Sequence, residues 1–300
     1  MSLFAFLGTL EIGLIYGLVA LGVYLTFRVL DFPDLTVDGS FPMGGAVAAT
    51  AIVAGINPWL ATGFAILAGG ACGLVTAFLA VRCGILHLLA SILTMIAAFS
   101  INIRIMGRPN IALLGEKTIF SSFESLGFDP LYTNLAVVFV IVLLVALFTI
   151  RLLSSDFGLA LRATGVNDAM VAAQGGSVGF YTYVGLALSN GLVGLAGALF
   201  TMSNSFADVT SGVGTIVVGL AAVILGQTLL SGRELRVAVL AVILGSILYR
   251  LAVAFALGSG MFGMQASDLN LITAVLVAAA LIVPKMKGKV RVGIGKRGSK

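Results

Sequence analysis

Apolar runs of membrane-spanning length recur along this chain, and they constrain its fold more than any other feature. The clearest runs cover residues 3–27, 59–81, 87–106, 133–153, 181–202 and 237–257, and a last, shorter run covers residues 269–283. A helix needs about 20 apolar residues to cross the hydrocarbon core of a bilayer. Only 10% of the residues are charged, against about 25% in an ordinary soluble domain. The sequence therefore predicts an all-α polytopic membrane helical bundle and excludes a soluble catalytic domain.

Two further apolar runs, residues 41–54 and 215–230, are too short to cross a bilayer at about 1.5 Å per residue. Each follows a polar connector. We interpret the first run as a broken or half-buried helix that begins near Asp38, with Pro42 near its first turn. Together the long and short runs give about 8 to 10 spans.

Basic residues are concentrated at one predicted side of the membrane. Residues 285–300 hold seven of the 17 lysines and arginines and no acid. This composition is typical of a cytoplasmic tail behind one transmembrane domain, residues 1–284, and it favours contact with membrane lipids over a nucleic-acid-binding role. Placing the tail inside leaves Arg108 and Lys117 outside and puts the N-terminus outside. It also assigns six arginines to the cytoplasm: Arg28, Arg82, Arg151, Arg162, Arg233 and Arg236.

One long internal segment, residues 154–180, is too polar to enter the membrane. Residues 158–164 predict a short helix that Gly165 closes with a left-handed turn. Asn167 is expected to cap a second short helix, which ends at the glycine pair 175–176. The segment is thus predicted to be a helix–turn–helix at the membrane surface, with a plain structured loop as the alternative.

Two stretches resemble the permease subunits of ABC importers: GLALRATGVN at residues 158–167 and GLVGLAGALF at residues 191–200. The resemblance is to the branched-chain amino acid type and, within it, to the tryptophan/tyrosine permeases. LDFPDLTVDGSFPMGGAVAA, residues 30–49, carries the same resemblance, which covers nearly the whole chain. It implies a fold similar to type II ABC importers and a coupling segment, residues 154–177, that docks in a cleft of an ATPase subunit. The residues it assigns to ATPase coupling are Asp156, Gly158, Arg162, Ala163, Gly165, Val166 and Asn167.

The two connectors share the motif F-x-D-[LV]-T, at residues 32–36 and 206–210. Each motif follows a glycine-bearing span and precedes a short helix rich in small residues. Under the predicted topology the first lies towards the inside and the second towards the outside. The pattern indicates inverted repeats, about residues 3–153 and 178–284, which are typical of transporters. A chance match of three positions is the alternative.

Irregular backbone at membrane depth persists only within protein or beside water. We therefore expect both connectors to flank a central translocation path, while ordinary solvated turns remain the alternative. The candidate residues of this path are Asp34, Thr36, Asp38, Ser40, Asp208, Thr210 and Ser211.

Three ionisable residues are predicted to lie inside the apolar slab: Glu11, Arg104 and Arg250. A charge there is costly unless it faces the bundle or a water-filled path. We expect Glu11 to form an ion pair with one of the arginines, with a role in the substrate path as the alternative. Asn190 and Gln227 are expected to be hydrogen-bond partners between helices.

No residue pattern in the chain supports ATP chemistry or metal binding. The G-x-x-x-x-G-K-[ST] loop is missing, and Cys72 and Cys83 have no metal or redox spacing. The chain is therefore predicted to be a transport subunit and not an enzyme, with no cofactor of its own. ATP and magnesium would belong to a separate ATPase subunit.

The resemblance implies a subunit of an ATP-driven importer in the bacterial cytoplasmic (inner) membrane. Its expected partners are ABC ATPase subunits, an extracytoplasmic solute-binding protein and a second permease, with a homodimer favoured over a paralogue. The expected substrate is an amino acid, aromatic or otherwise hydrophobic. The rival interpretations are an ion-coupled secondary transporter and a channel or scaffold subunit.

Overall fold

A computed structural model describes residues 3–124, 130–230 and 234–258 together with residue 278. Within those residues the chain forms eleven α-helices and two three-residue strands. The helices are α1 Leu3–Val23, α2 Val37–Val53, α3 Pro58–Ala77, α4 His87–Met106, α5 Ser121–Glu124, α6 Pro130–Leu153, α7 Asp156–Val166, α8 Asp168–Ala173, α9 Val178–Asn204, α10 Thr215–Leu229 and α11 Leu235–Gly258. The strands are β1 Asn110–Ala112 and β2 Phe206–Asp208.

The predicted all-α membrane architecture is confirmed. Seven of the described helical segments are long and apolar enough to cross a membrane, and α2 is a shorter apolar helix. The predicted ends of the long spans agree with the helices to within about three residues, which is the usual scatter in helix boundaries. The predicted last span, residues 269–283, and the basic tail, residues 285–300, lie outside the described residues.

Helix α9 is the centre of the bundle, and glycines set how closely its neighbours approach it. A Cβ added to Gly44 of α2 would overlap the backbone of Gly194. On α3, a Cβ at Gly69 or Gly73 would overlap backbone carbonyls of α9. Helices in membranes pack closely where such small residues let two backbones meet. The three helices α2, α3 and α9 therefore touch through main-chain atoms.

Two serines bond helix α1 to its neighbours α9 and α11. The hydroxyl of Ser246 in α11 donates to the carbonyl oxygen of Gly13 in α1 at 2.9 Å. The hydroxyl of Ser189 in α9 donates to the carbonyl oxygen of Gly22 at 2.7 Å. Both acceptors are main-chain groups of α1, so this helix is bonded to α9 on one side and to α11 on the other.

The arginines Arg28, Arg82 and Arg151 lie near the ends of α1, α3 and α6, at the end of the bundle that carries α7 and α8. We call this the basic end. The last turns of α1 and α3, Tyr24–Val29 and Phe78–Arg82, are π-helical. The excess of arginine assigns the basic end to the cytoplasm.

A small β-ribbon closes the opposite end of the bundle. Strands β1 and β2 pair antiparallel, with Ile111 opposite Ala207. The sequence did not predict this ribbon, because strands of three residues are too short to show a periodic pattern. It anchors the start of the second connector beside the outer end of α4.

Candidate functional site

The two F-x-D-[LV]-T motifs have the same local geometry. Each follows a residue in the left-handed conformation, Asp31 with φ 53° and Ser205 with φ 59°. In each, the aspartate side chain accepts a hydrogen bond from the backbone N–H two residues on. The Asp34–Thr36 bond is 2.9 Å and the Asp208–Thr210 bond is 2.6 Å. The sequence match between the connectors is therefore also a match of backbone shape.

The connectors enter the bundle from opposite ends. In the first, Phe32 stacks on His87, the first residue of α4 at the basic end, with ring centroids 4.3 Å apart. The second begins in the β-ribbon at the outer end and continues through a 3₁₀ turn, Val209–Gly212, to α10. Helix α2 then runs outwards and α10 runs towards the basic end. Helix α2 is short, as predicted, but α10 and the 3₁₀ turn before it form an apolar segment, Val209–Leu229, of 21 residues, so the prediction that the second run is too short to cross a membrane is wrong.

Helices α2 and α10 meet at Asp38, in the first turn of α2. Its carboxylate accepts from the backbone N–H groups of Gly214 at 3.1 Å and Ile216 at 2.7 Å, at the start of α10. These donors lack partners within their own helix. Pro42, in the second turn of α2 rather than the first, cannot donate to the carbonyl oxygen of Asp38. Gly212 packs against that carbonyl and the proline ring.

A buried polar network holds the first connector to α9. Asn190 donates from Nδ2 to Oδ2 of Asp34 at 2.7 Å, and its Oδ1 accepts from the Ser40 hydroxyl at 2.6 Å. The hydroxyls of Thr36 and Thr76 are 2.7 Å apart, which adds α3 to the network. All five side chains are buried. The prediction that Asn190 bonds between helices is confirmed.

The seven path candidates differ in exposure. Asp34, Thr36 and Ser40 are buried, Asp38, Asp208 and Ser211 are half-buried, and Thr210 is exposed. Of these, Asp38 lines a cavity of about 300 Å³ between α2, α4 and the second connector. Asp208, Thr210 and Ser211 bond to one another around the 3₁₀ turn. The structure thus brings the connectors together at Asp38.

The coupling segment forms the predicted pair of short helices. The Ser155 hydroxyl caps α7 by accepting from Gly158, and Oδ1 of Asn167 caps α8 by accepting from the Met170 N–H at 2.9 Å. The prediction for Asn167 as an N-cap is confirmed. Gly175 then has φ 82° just beyond α8, as the predicted glycine stop requires.

The prediction that Gly165 closes α7 with a left-handed turn is wrong. The helix continues to Val166, and Gly165 has a helical backbone. A Cβ at this position would overlap the carbonyl of Val29, at the end of the first span. Glycine is therefore required there because two backbones touch, not because the chain reverses.

The other coupling candidates divide by the side of the helix that they occupy. Gly158 is buried against the carbonyl of Leu152 and the backbone of Leu153. Those that face away from the bundle are Asp156, Arg162, Ala163, Val166 and Asn167. Val166 is 87% exposed, although it is apolar. Cavities of about 430 and 460 Å³ lie on either side of Gly165 and Val166.

The predicted ion pair of Glu11 is not formed. Among the described residues, Glu11 pairs with neither Arg104 nor Arg250; its Oε1 accepts from the Ser203 hydroxyl of α9 at 2.6 Å. The guanidinium carbon of Arg250 lies 3.7 Å from the ring centroid of Tyr16, a cation–π contact. Arg104 is exposed at the outer part of α4. Glu11 thus has a serine as its partner, and Arg250 has an aromatic ring, where the sequence predicted a partner of opposite charge.

No group of three or more His, Cys, Asp or Glu side chains is placed to hold a metal ion in the described part of the chain. The polar features of the described residues are instead helix caps inside the bundle and an exposed polar segment at the basic end. Helices that begin inside an apolar bundle and meet there are typical of multi-pass membrane transport subunits.

Residues 5–283 match the family "Branched-chain amino acid transport system / permease component", and the chain belongs to this family. It is therefore a permease component of an ABC-type amino acid transporter and an integral inner-membrane protein. The resemblance seen in the sequence is confirmed.

Two curated relatives are similar along most of their length. The "Tyrosine transport system permease protein" of Clostridioides difficile (strain R20291) is 40% identical over 268 residues, or 89% of this chain and 87% of the relative. The "Probable branched-chain amino acid transport permease protein LivH" of Methanocaldococcus jannaschii is 26% identical over 274 residues, or 87% and 86%. Both relatives carry names of transport permeases.

Among solved structures, "PsaBC from Streptococcus pneumoniae in complex with Fab" superposes with a TM-score of 0.52 at 16% identity. The match covers 93% of this chain and 91% of that chain. At this identity the likeness concerns the fold, which agrees with the predicted importer-like bundle.

Proposed function

We propose that this chain forms half of the translocation path of an ATP-driven amino acid importer. The observation that carries the proposal is the meeting of α2 and α10 at Asp38. Both helices begin inside the bundle, so their first backbone N–H groups lie there without partners in their own helix. Such polar backbone inside a membrane protein either lines a path or is buried by protein. The seven candidate residues of the two connectors are accordingly assigned to the path or to its walls.

Energy reaches the path through α7 and α8. At the basic end, α7 exposes the apolar side chain of Val166 beside the exposed Arg162 and Asn167. An exposed apolar side chain of this kind suits contact with another protein. An ATPase subunit that binds ATP and magnesium docks on this surface. Its closure moves α7, and the backbone contact of Gly165 with Val29 passes the motion to the start of the first connector.

A second copy of the permease completes the path. The cavity beside Asp38 opens along α4, whose outward side chains Ile96 and Phe99 are exposed. A carboxylate that faced acyl chains would be costly, so this face borders protein or water. We infer a homodimer across it, with an extracytoplasmic solute-binding protein delivering the substrate to the outer end.

An aromatic amino acid is the proposed substrate. The support is the 40% identity to a permease named for tyrosine transport and the Phe99 ring at the cavity beside Asp38.

Cysteine crosslinking tests the docking surface. In a Cys83→Ser background, Ala163→Cys and Val166→Cys should crosslink to the ATPase in the assembled complex, because both positions are exposed on α7. Leu114→Cys, which is 84% exposed near the outer β-ribbon, is the matched control and should react only with reagents added outside. Crosslinks from Leu114→Cys alone would contradict the proposal.

An ion-coupled secondary transporter is the second candidate. The observation that favours it is the buried carboxylate of Asp34, which lies in an interrupted segment without a basic partner among the described residues. Uptake into proteoliposomes separates the two. Uptake that needs internal ATP and persists without an ion gradient supports the importer, whereas uptake driven by a proton or sodium gradient alone supports the alternative.

A further inference from the structure

The cavity beside Asp38 has the composition of a small-ligand site. Its volume is about 300 Å³, at the lower end of the range of about 300–1,000 Å³ for such sites. Its lining is apolar except at two side chains, the carboxylate of Asp38 and the hydroxyl of Ser100. The lining residues are Asp38, Gly39, Pro42, Met95, Ile96, Phe99, Ser100, Val209 and Val213.

Asp38 retains hydrogen-bonding capacity after it has capped α10. A carboxylate offers about four acceptor positions, and the two N–H groups of Gly214 and Ile216 occupy one on each oxygen. Neither lysine nor arginine lines the cavity among the described residues. Beyond the partial positive charge of the two helix N-termini that it faces, the half-buried carboxylate has no basic side chain in this cavity, and a ligand cation would supply a full positive charge.

The geometry points to Asp38 as the site that binds the ammonium group of the transported amino acid, while the substrate's side chain lies against Met95 and Phe99. This inference rests on the proposed transport function and names one contact within it. An ammonium group brings three donors and a positive charge, and a thioether and an aromatic ring suit an aromatic side chain. The Ser100 hydroxyl lies on an exposed residue of the lining and is available to a polar group of the ligand.

The inference predicts a preference for amines over carboxylates of equal size. Tyramine keeps the ammonium group and the phenol ring of tyrosine, whereas 3-(4-hydroxyphenyl)propionate keeps the carboxylate and the ring. A charge-assisted hydrogen bond to Asp38 should make tyramine bind about tenfold more tightly than the propionate.

Protection of a cysteine from alkylation measures this preference. Ser100→Cys is placed in a Cys83→Ser background; Cys72 is buried. The permease–ATPase complex in nanodiscs is then alkylated with N-ethylmaleimide, which is uncharged, with and without L-tyrosine, tyramine or the propionate. We expect L-tyrosine and tyramine to slow alkylation, and the propionate to need a concentration about tenfold higher for the same effect. Asp38→Asn should abolish protection, and Glu116→Gln, which removes an exposed outer carboxylate, should not.

Equal protection by the propionate, or protection that survives Asp38→Asn, would overturn the assignment, as would a Ser100→Cys side chain that never reacts. If Asp38→Asn aggregates, the comparison of amine and propionate in the Asp38 protein decides alone. ATP-driven tyrosine uptake is measured on the same Cys83→Ser complex after its reconstitution into proteoliposomes. ATP-driven uptake without protection by amines would reject the ammonium site and leave the proposed function standing. Protection by amines without ATP-driven uptake would reject the proposed function and leave Asp38 as an amine-binding site.

Discussion

Asp34 and Asn190 lie 156 residues apart in the chain and 2.7 Å apart in the fold, each with 0% of its surface exposed. The bond joins the first connector to the central helix α9. Helix α2 begins at Val37, three residues after Asp34, so this bond fixes where the helix starts. The Asp34 carboxylate also accepts from the Thr36 N–H at 2.9 Å, so both of its oxygens are satisfied.

Replacing Asn190 by alanine should destabilise the permease strongly. The change leaves the buried Asp34 carboxylate without its side-chain donor, a loss of about 1–3 kcal/mol. Thermal unfolding in detergent, monitored by size-exclusion chromatography, measures this loss of stability. Asn204→Ala is the matched control, because Asn204 donates only to Phe200 of its own helix at 2.9 Å. Equal melting temperatures for the two variants would contradict a special role for the Asp34 bond.

Valine substitutions at Thr36 and Thr76 should have non-additive effects on the stability of the permease. Thr76→Val takes the hydrogen-bond partner from the buried Thr36 hydroxyl, which costs about 1 kcal/mol, whereas Thr36→Val leaves the Thr76 hydroxyl bonded to the Cys72 carbonyl at 3.2 Å. Valine at both positions replaces the pair by apolar groups of the same shape. The double variant should therefore melt close to the parent. Additive losses, measured by the same unfolding assay, would mean that the two hydroxyls act independently.

Gly165→Ala should reduce transport although alanine favours helices. The new Cβ overlaps the Val29 carbonyl and forces α7 away from the first span, at a cost of about 1–3 kcal/mol. We expect ATP hydrolysis to lose its coupling to uptake in proteoliposomes. The control is Gly63→Ala in α3, where an added Cβ meets nothing within 4 Å. Full coupling in Gly165→Ala would show that the contact with Val29 does not carry the motion.

Glu11 and Arg250 should prove energetically independent. Glu11→Gln keeps an oxygen that can accept from Ser203, so its effect should be small, and a double-mutant cycle with Arg250→Gln should give a coupling energy below about 0.5 kcal/mol. A cycle between Arg250→Gln and Tyr16→Leu should instead give about 0.5–2 kcal/mol, because the guanidinium lies over the ring. A larger coupling energy for Glu11 and Arg250 than for Tyr16 and Arg250 would show that Glu11 and Arg250 form an ion pair.

The spans could be predicted from the sequence because each is long, apolar and bounded by polar or basic residues. The prediction of residues 87–106, for example, coincides with α4. The shared motif at Phe32 and Phe206 also identified the two connectors, because its aspartate and threonine positions make the same turn in both.

Contacts between distant segments could not be predicted in this way. Nothing local marks Asp38 as the cap of a helix that starts 177 residues later at Thr215, or Ser203 as the partner of Glu11. The role of Gly165 was misassigned for the same reason: a glycine that ends a helix and one that touches another backbone look alike in sequence. The π-helical ends of α1 and α3 left no pattern either.

The glycine contacts of α9 have a mechanical consequence. Side chains at an interface can change rotamer and so absorb a displacement of one helix against another. The contacts of Gly44, Gly69 and Gly73 with α9 are made by main-chain atoms, which have no rotamers to change. Helices α2, α3 and α9 should therefore tilt as one stiff lever. With 27 residues, α9 is about 40 Å long, and a tilt of about 5° about its cytoplasmic end would move its far end by about 3.5 Å. A small push beside α8 would then arrive, undiminished, at the outer mouth where the second connector begins.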